Sequence, residues 1–81
     1  MITVKLIGMP SCRRYQRMRE NTIREAERLG ISIQLDEISD TEQLSEFNPL
    51  SLPRLYIQDK LVASQNPPAP QDIIQALQQA K

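Results

Sequence analysis

The single cysteine of the chain, Cys12, lies between a strand-like segment and a long helical pattern, in Met9-Pro10-Ser11-Cys12-Arg13-Arg14-Tyr15. A thiol at the start of a helix feels the positive end of the helix dipole, which favours the thiolate over the thiol. Arg13 and Arg14 add positive charge in the same turn. Because thiolates attack disulfide sulfur atoms, this position predicts thiol–disulfide exchange that uses one cysteine.

Tyr15 stands three residues after Cys12, one helical turn away. Its hydroxyl could donate a hydrogen bond to the Cys12 thiolate, or its ring could simply fill space in the core. An inert Cys12 is the alternative to a reactive one, since free cysteines are often buried as small hydrophobes. Cys12 opens a helix and lies off the apolar stripe of that helix, so we favour the reactive thiol and treat Cys12 and Tyr15 as candidate catalytic residues.

Histidine is missing from the sequence, and this excludes several kinds of site. A Cys–His nucleophilic dyad, a histidine general base and a histidine-containing metal site all require that residue. A zinc site would need Cys12 with carboxylates alone, so we expect neither a bound metal nor a resident cofactor. One cysteine also cannot form an internal disulfide, and an unpaired thiol suits a reducing compartment.

Charge and hydropathy exclude two further classes of partner. Ten Lys and Arg residues balance ten Asp and Glu residues, and the few aromatic residues are not interleaved with the basic ones, so nucleic-acid binding is not expected. No apolar run approaches the roughly 18 residues of a membrane span. The apolar residues near the start lack the basic leader of a signal peptide, so we expect a cytoplasmic protein that does not engage a membrane.

The hydrophobic pattern predicts one small domain over residues 1–81, with elements in the order βαβαββα. Alternating or β-branched runs predict strands, helical spacing predicts helices, and a Ser39 to Glu42 capping box opens the second helix. The predicted strands cover residues 2–7, 31–36, 54–57 and 61–64, and the predicted helices cover residues 12–29, 39–47 and 71–80. A strand, a crossover helix and a second strand form a right-handed parallel unit.

This order, with a cysteine at the start of the first helix and a proline before the third strand, resembles the thioredoxin fold. The likeness is closest to small, glutaredoxin-sized, thioredoxin-like redox-active disulfide proteins, and it covers essentially the whole chain. It is carried by residues 8–15, by Leu29-Gly30-Ile31 and by Leu52-Pro53. The resemblance implies a three-layer α/β fold with a four-stranded mixed sheet.

Roles can be carried over from that family to matching positions. Cys12 matches the nucleophilic cysteine, and Pro53 matches the cis-proline that faces it. The backbone of Leu52 would pair with a bound peptide or thiol ligand in the manner of an edge strand. Tyr15 occupies the position of the second, resolving cysteine, so the resemblance implies a monothiol variant that depends on an outside thiol.

Several neighbours of Cys12 are candidate substrate-binding residues. Arg13 and Arg14 could stabilise the thiolate and its substrate, although solvated surface is an equally simple interpretation. Met9 and Leu52 could form an apolar rim that docks a protein partner, or could pack within their own loops. Other apolar residues of this half of the chain are predicted to be core: Phe47, Leu50 and Tyr56.

Two functions follow, from different classes. The first is thiol–disulfide exchange or deglutathionylation through Cys12, with protein or glutathione thiols and disulfides as partners and glutathione as a possible co-substrate. The second is a redox-inactive thioredoxin-fold module that binds a protein in the same groove. A Cys12 to Cys12 disulfide between two copies is a third possibility. Monothiol glutaredoxins bridge iron–sulfur clusters with glutathione. Their motif carries Gly and Phe where this chain has Arg13 and Arg14, so the sequence does not favour a bridged cluster here.

Overall fold

The computed structural model describes residues 1–80 and has the element order βαβαββα, as predicted. One 3₁₀ helix, Pro49–Ser51, precedes the third strand. The strands are β1 Ile2–Ile7, β2 Ile33–Ile38, β3 Arg54–Ile57 and β4 Lys60–Ser64, and the helices are α1 Arg13–Leu29, α2 Thr41–Leu44 and α3 Pro70–Gln79. No helix within these residues is both long enough and apolar enough to cross a membrane.

The four strands form one mixed sheet in the order β2-β1-β3-β4. β1 and β2 are parallel and joined by α1, whereas β3 is antiparallel to both β1 and β4. Gln58 and Asp59 connect β3 to β4 with φ angles of 50° and 65°, and positive φ at both central positions characterises the type I′ turn favoured in hairpins. The predicted four-stranded mixed α/β sheet is therefore confirmed.

The core lies between one face of the sheet and the helices α1 and α3. Alternate residues of the strands point to this side, where they meet apolar residues of both helices. The residues with no exposed surface here include Val4, Leu6, Met18, Leu55, Ile73 and Leu77. Packing against this sheet fixes the start of α1, and with it Cys12, beside the end of β1.

The opposite face of the sheet is more thinly covered. Lys5, Ile7, Ile38 and Tyr56 line an open pocket of about 280 Å³ on this side together with Phe47, which follows α2. Arg54 lies over the Phe47 ring, with 5.1 Å between the guanidinium carbon and the ring centroid. The third layer is thus reduced to the short segment that carries α2.

The second strand begins and ends two residues later than predicted. Gly30 takes a left-handed conformation with φ of 68° and caps α1. The N–H of Ile31 then donates to the carbonyl of Ala26 at 2.9 Å. Because this hydrogen bond belongs to the helix cap, the N–H of Ile31 is not available to the sheet. The strand begins at Ile33 and ends at Ile38.

Three further predictions about the chain after β2 were wrong. α2 is capped by Asp40, whose Oδ1 accepts from the N–H of Glu42 at 3.0 Å, and not by a capping box from Ser39. The helix ends at Leu44 instead of running to Phe47. Leu50, predicted to be core, is 76% exposed because it lies in the 3₁₀ helix at the surface.

Candidate functional site

Cys12 is the N-cap residue of α1. Its backbone is extended, with φ of −77° and ψ of 131°, and its side chain makes no capping hydrogen bond. The N–H of Cys12 donates to the Met9 carbonyl at 3.0 Å, and Gln16 Nε2 donates to the Pro10 carbonyl at 3.0 Å. These bonds hold the loop in a fixed turn, and the thiol stays partly exposed at the edge of the core.

Gly8 brings Pro53 and the first turn of α1 together. The Leu52–Pro53 peptide bond is cis, and Pro53 is buried. A Cβ atom built on Gly8 would lie 3.0 Å from Pro53 Cβ and 3.0 Å from Tyr15 Cδ2. A larger side chain at position 8 would therefore crowd both the proline and the tyrosine, and glycine lets the loop before β3 lie close to α1.

The Tyr15 hydroxyl does not donate to the Cys12 sulfur, which corrects one of the two roles expected for Tyr15 from the sequence. Its side chain is 2% exposed, and its hydroxyl donates to Glu37 Oε1 at 2.7 Å. Arg19 Nε donates to the same oxygen at 3.0 Å. A phenol has one proton to donate, and here that proton goes to a carboxylate on β2 and not to Cys12.

Burial of the Tyr15 ring raises the pKa of its phenol well above the usual value, and the hydrogen bond to Glu37 raises it further. Arg19 opposes the shift, but it does not cancel the other two effects. The phenol is therefore neutral across the pH range in which thiols react, and it cannot serve as a general base. Tyr15 acts as a structural residue that fixes the first turn of α1 against β2.

The substrate-binding candidates Arg13 and Arg14 lie on the surface beside Cys12. Both are exposed, and neither makes an ion pair or a side-chain hydrogen bond with another residue in the range 1–80. The first turn of α1 contains no acidic residue. The two guanidinium groups are therefore available to an anionic ligand.

The two apolar residues expected to form a rim differ in exposure. Met9 is 51% exposed and Leu52 is partly buried. Leu50 adds a third apolar side chain at the loop before Pro53, and the sequence interpretation missed it because the prediction placed it in the core. The N–H of Leu52 already donates to the Pro49 carbonyl at 3.3 Å. Strand-like pairing of a ligand with that N–H would therefore require this long hydrogen bond to open.

Two further residues of the site were missed by sequence reasoning. Glu37 follows Ile33 and Leu35 in alternation and so occupies an apolar-face position of β2, which is the signal that could have identified it. Gly8 carried no signal beyond ending the first strand. In residues 1–80 no group of His, Cys, Asp or Glu side chains is arranged to hold a metal ion.

A comparison with family models matches the thioredoxin domain over residues 2–78. A comparison with curated proteins finds no match. The matched range includes Cys12, Tyr15 and the cis Leu52–Pro53 bond, together with all four strands, α1, α2 and all of α3 except its last residue. With this match and the four-stranded sheet that places Cys12 at the start of α1, the chain belongs to the thioredoxin-domain family.

Proposed function

We propose that this thioredoxin-fold protein carries out thiol–disulfide exchange or deglutathionylation with Cys12 as its nucleophile. The observation that carries the proposal is the placement of a partly exposed thiol, free of side-chain hydrogen bonds, as the N-cap of a 17-residue helix. The helix N-terminus and the two neighbouring arginines place positive charge near this sulfur atom. Pro53, on the far side of Gly8, would shape the groove that receives the substrate.

The reaction runs in three exchange steps, of which the first two take place at Cys12. The Cys12 thiolate attacks one sulfur of a substrate disulfide, a Cys12–S–S–R bond forms, and the second substrate sulfur leaves as a thiolate. An outside thiol such as glutathione then attacks the mixed disulfide and releases Cys12. The first outside thiol is now joined to R, and a second outside thiol attacks this disulfide, so that an external disulfide forms and R leaves as a thiolate. The two electrons that reduce the substrate therefore come from the two outside thiols. Tyr15 cannot take this role because it has no sulfur.

A redox-inactive protein-binding module is the second candidate. It is favoured by the burial of Tyr15 at the position of the family's second cysteine, with a hydrogen bond to Glu37 that integrates the ring into the fold. The exposed Met9 and Leu50 side chains would supply the apolar contacts of such a module. In this case Cys12 would contribute only to packing.

The deciding experiment is the rate of iodoacetamide alkylation of the folded protein as a function of pH. The matched control is an unstructured peptide with the sequence of residues 9–15, which keeps Arg13 and Arg14 but lacks the helix and the fold. Mass spectrometry assigns the product without ambiguity because Cys12 is the only cysteine. A lower pH midpoint and faster reaction near neutral pH in the folded protein would support the exchange function.

Alkylation no faster than in the peptide at any pH would overturn the exchange function and leave the binding module. A reactive Cys12 should then be incubated with glutathione disulfide. We expect a glutathione adduct on Cys12 that added glutathione removes, whereas Cys12→Ser should form no adduct. An adduct that persists in excess glutathione would contradict turnover through an outside thiol.

A further inference from the structure

The arginines of α1 fall into two groups that differ in their contacts. The three nearer the middle and end of the helix are engaged, since Arg19 donates to Glu37, Arg24 to Asn21 and Arg28 to Glu25. The three in the first two turns, Arg13, Arg14 and Arg17, are exposed and have no partner among the described residues. We call these three residues the arginine patch.

The arginine patch is unfavourable for the helix that carries it. Arg17 is four residues from Arg13 and three from Arg14, so the like charges are neighbours on the helix surface and repel one another. Arg13 and Arg14 also lie in the first turn, at the positive end of the helix dipole, where cations are disfavoured. The first turn has no acidic residue to offset them. Glu20 stands three residues after Arg17 but forms no ion pair with an arginine, so no salt bridge within the described residues offsets this repulsion. Unfavourable local placements of this kind are expected at functional surfaces.

Two of the three arginines, Arg13 and Arg17, line a shallow depression on the surface. Arg13, Gln16, Arg17 and Glu20 line an open depression of about 260 Å³ along α1. Arg13 directly follows Cys12 in the chain, so the depression runs along α1 from the residue after the N-cap. A chain that places a sulfur atom at Cys12 would therefore lay its neighbouring residues over the arginines.

We propose that the polypeptide partner of Cys12 carries acidic residues next to its reactive cysteine or disulfide, and that the arginine patch binds them. This inference deepens the proposed function and rests on it for the covalent step. Asp and Glu side chains would relieve the repulsion among the arginines and form charge-assisted hydrogen bonds with them. The zero net charge of the chain and the burial of Tyr15 beside the patch do not favour a nucleic acid at this surface.

The test compares three synthetic peptides, each with one cysteine activated as a thiopyridyl disulfide and flanked by acidic, neutral or basic residues. Attack by Cys12 on the peptide sulfur forms a Cys12–peptide disulfide and releases thiopyridone, whose absorbance gives the rate. We expect the acidic peptide to react at least about tenfold faster than the basic one at low salt, with the difference shrinking as salt screens the charges.

The matched variants separate a local contact from overall charge. Replacing Arg13, Arg14 and Arg17 by Gln should bring the acidic-to-basic rate ratio close to one. The control protein carries Arg24→Gln, Lys5→Gln and Lys60→Gln, which remove the same number of positive charges elsewhere, and it should keep most of the preference. Equal loss in both proteins, or no charge preference in the wild-type protein, would overturn the proposal.

Two further arms keep this inference distinct from the proposed function. Glutathione disulfide is tested beside the peptides. If the patch variant reacts more slowly with glutathione disulfide but not with the acidic peptide, the proposal that the partner is a polypeptide would be overturned. If Cys12 reacts with none of the disulfides, the exchange function fails. The patch is then judged by titrating Cys12→Ser with non-activated acidic and basic peptides and following backbone amide signals by NMR. Selective shifts around residues 13–17 with the acidic peptide support the patch, and their absence overturns it.

Discussion

Tyr15 and Glu37 join the first turn of α1 to the end of β2 through a hydrogen bond of 2.7 Å between the phenol hydroxyl and Oε1. The resemblance to the family assigns the second cysteine to this position, and here the tyrosine hydroxyl makes a structural hydrogen bond instead. The ring also contacts the Gly8 position beside Pro53. One buried side chain therefore connects β2, α1 and the loop before β3 around Cys12.

We expect Tyr15→Phe to lower the free energy of unfolding by about 1 to 2 kcal/mol, because it removes a partly buried hydrogen bond to a charged acceptor. Chemical denaturation measures the change. Tyr56→Phe is the matched control, since it removes the only other phenol, which accepts a hydrogen bond from Arg54. In a Glu37→Ala background the Tyr15 hydroxyl has lost its acceptor, so Tyr15→Phe should be neutral or stabilising. Equal costs in both backgrounds would contradict this coupling.

The protein should lose stability in alkali. Burial and the bond to Glu37 raise the pKa of Tyr15 in the folded protein above its ordinary value of about 10. The folded state therefore holds the phenolic proton at pH values where the unfolded state releases it. The resulting stability is complete below the ordinary pKa and is lost as pH rises above it.

Ultraviolet absorbance of the phenolate checks this expectation in a Tyr56→Phe variant, where Tyr15 is the only tyrosine. Phenolate should appear together with the loss of the folded circular-dichroism signal. A phenolate signal with a midpoint near pH 10 in a protein that is still folded would show that the ring is not held as described.

Much of the fold was predictable because local and global preferences agree along most of the chain. The first strand at Ile2–Ile7 and the third at Arg54–Ile57 fall at the predicted bounds. Helix α1 ends at Leu29 before Gly30 because the left-handed cap that glycine provides is a local property. The order of elements, and with it the position of Cys12, followed from these signals.

The environment of the candidate site was less predictable because it depends on contacts between distant residues. Glu25 is 1% exposed and pairs with Arg28, although its charge predicts the polar face of α1. Glu37 lay one residue beyond the predicted end of β2, so its alternation with Ile33 and Leu35 was not recognised and its hydrogen bond with Tyr15 was not predicted. The approach of Pro53 to Gly8 likewise depends on how the loop before β3 packs.

Gly8→Ala should destabilise the protein by about 1 to 3 kcal/mol through overpacking. The new methyl group would meet Pro53 Cα at 3.2 Å, in addition to the side chains of Pro53 and Tyr15 at 3.0 Å. Removing the ring with Tyr15→Ala should make the added methyl cheaper, so the two changes should be less than additive in denaturation experiments.

Gly30→Ala is the control for this substitution because its cost has another origin. A Cβ atom at Gly30 meets nothing within 4 Å, but the φ angle of 68° is unfavourable for alanine, at a cost of about 1 kcal/mol. That cost should not change when Tyr15→Ala is added. If Gly8→Ala were equally independent of Tyr15, the described contact between the two positions would be wrong.

Cys12→Ser should raise the free energy of unfolding by about 0.5 to 1 kcal/mol. Cys12 is an N-cap whose thiol makes no capping bond, whereas a serine hydroxyl at this extended backbone can accept from the N–H groups of the first turn. For a domain of this size, such a gain corresponds to a rise in Tm of a few degrees, about 4 to 8 °C per kcal/mol. Cys12→Ala, which offers no acceptor, should be less stable than both. A serine variant no more stable than the alanine variant would mean that thiol packing governs this position. The expected order of stability, with serine highest, cysteine next and alanine lowest, would show that the chain has a sulfur atom where an oxygen atom would stabilise the helix more. Such a loss of stability is expected of a residue that serves a chemical function.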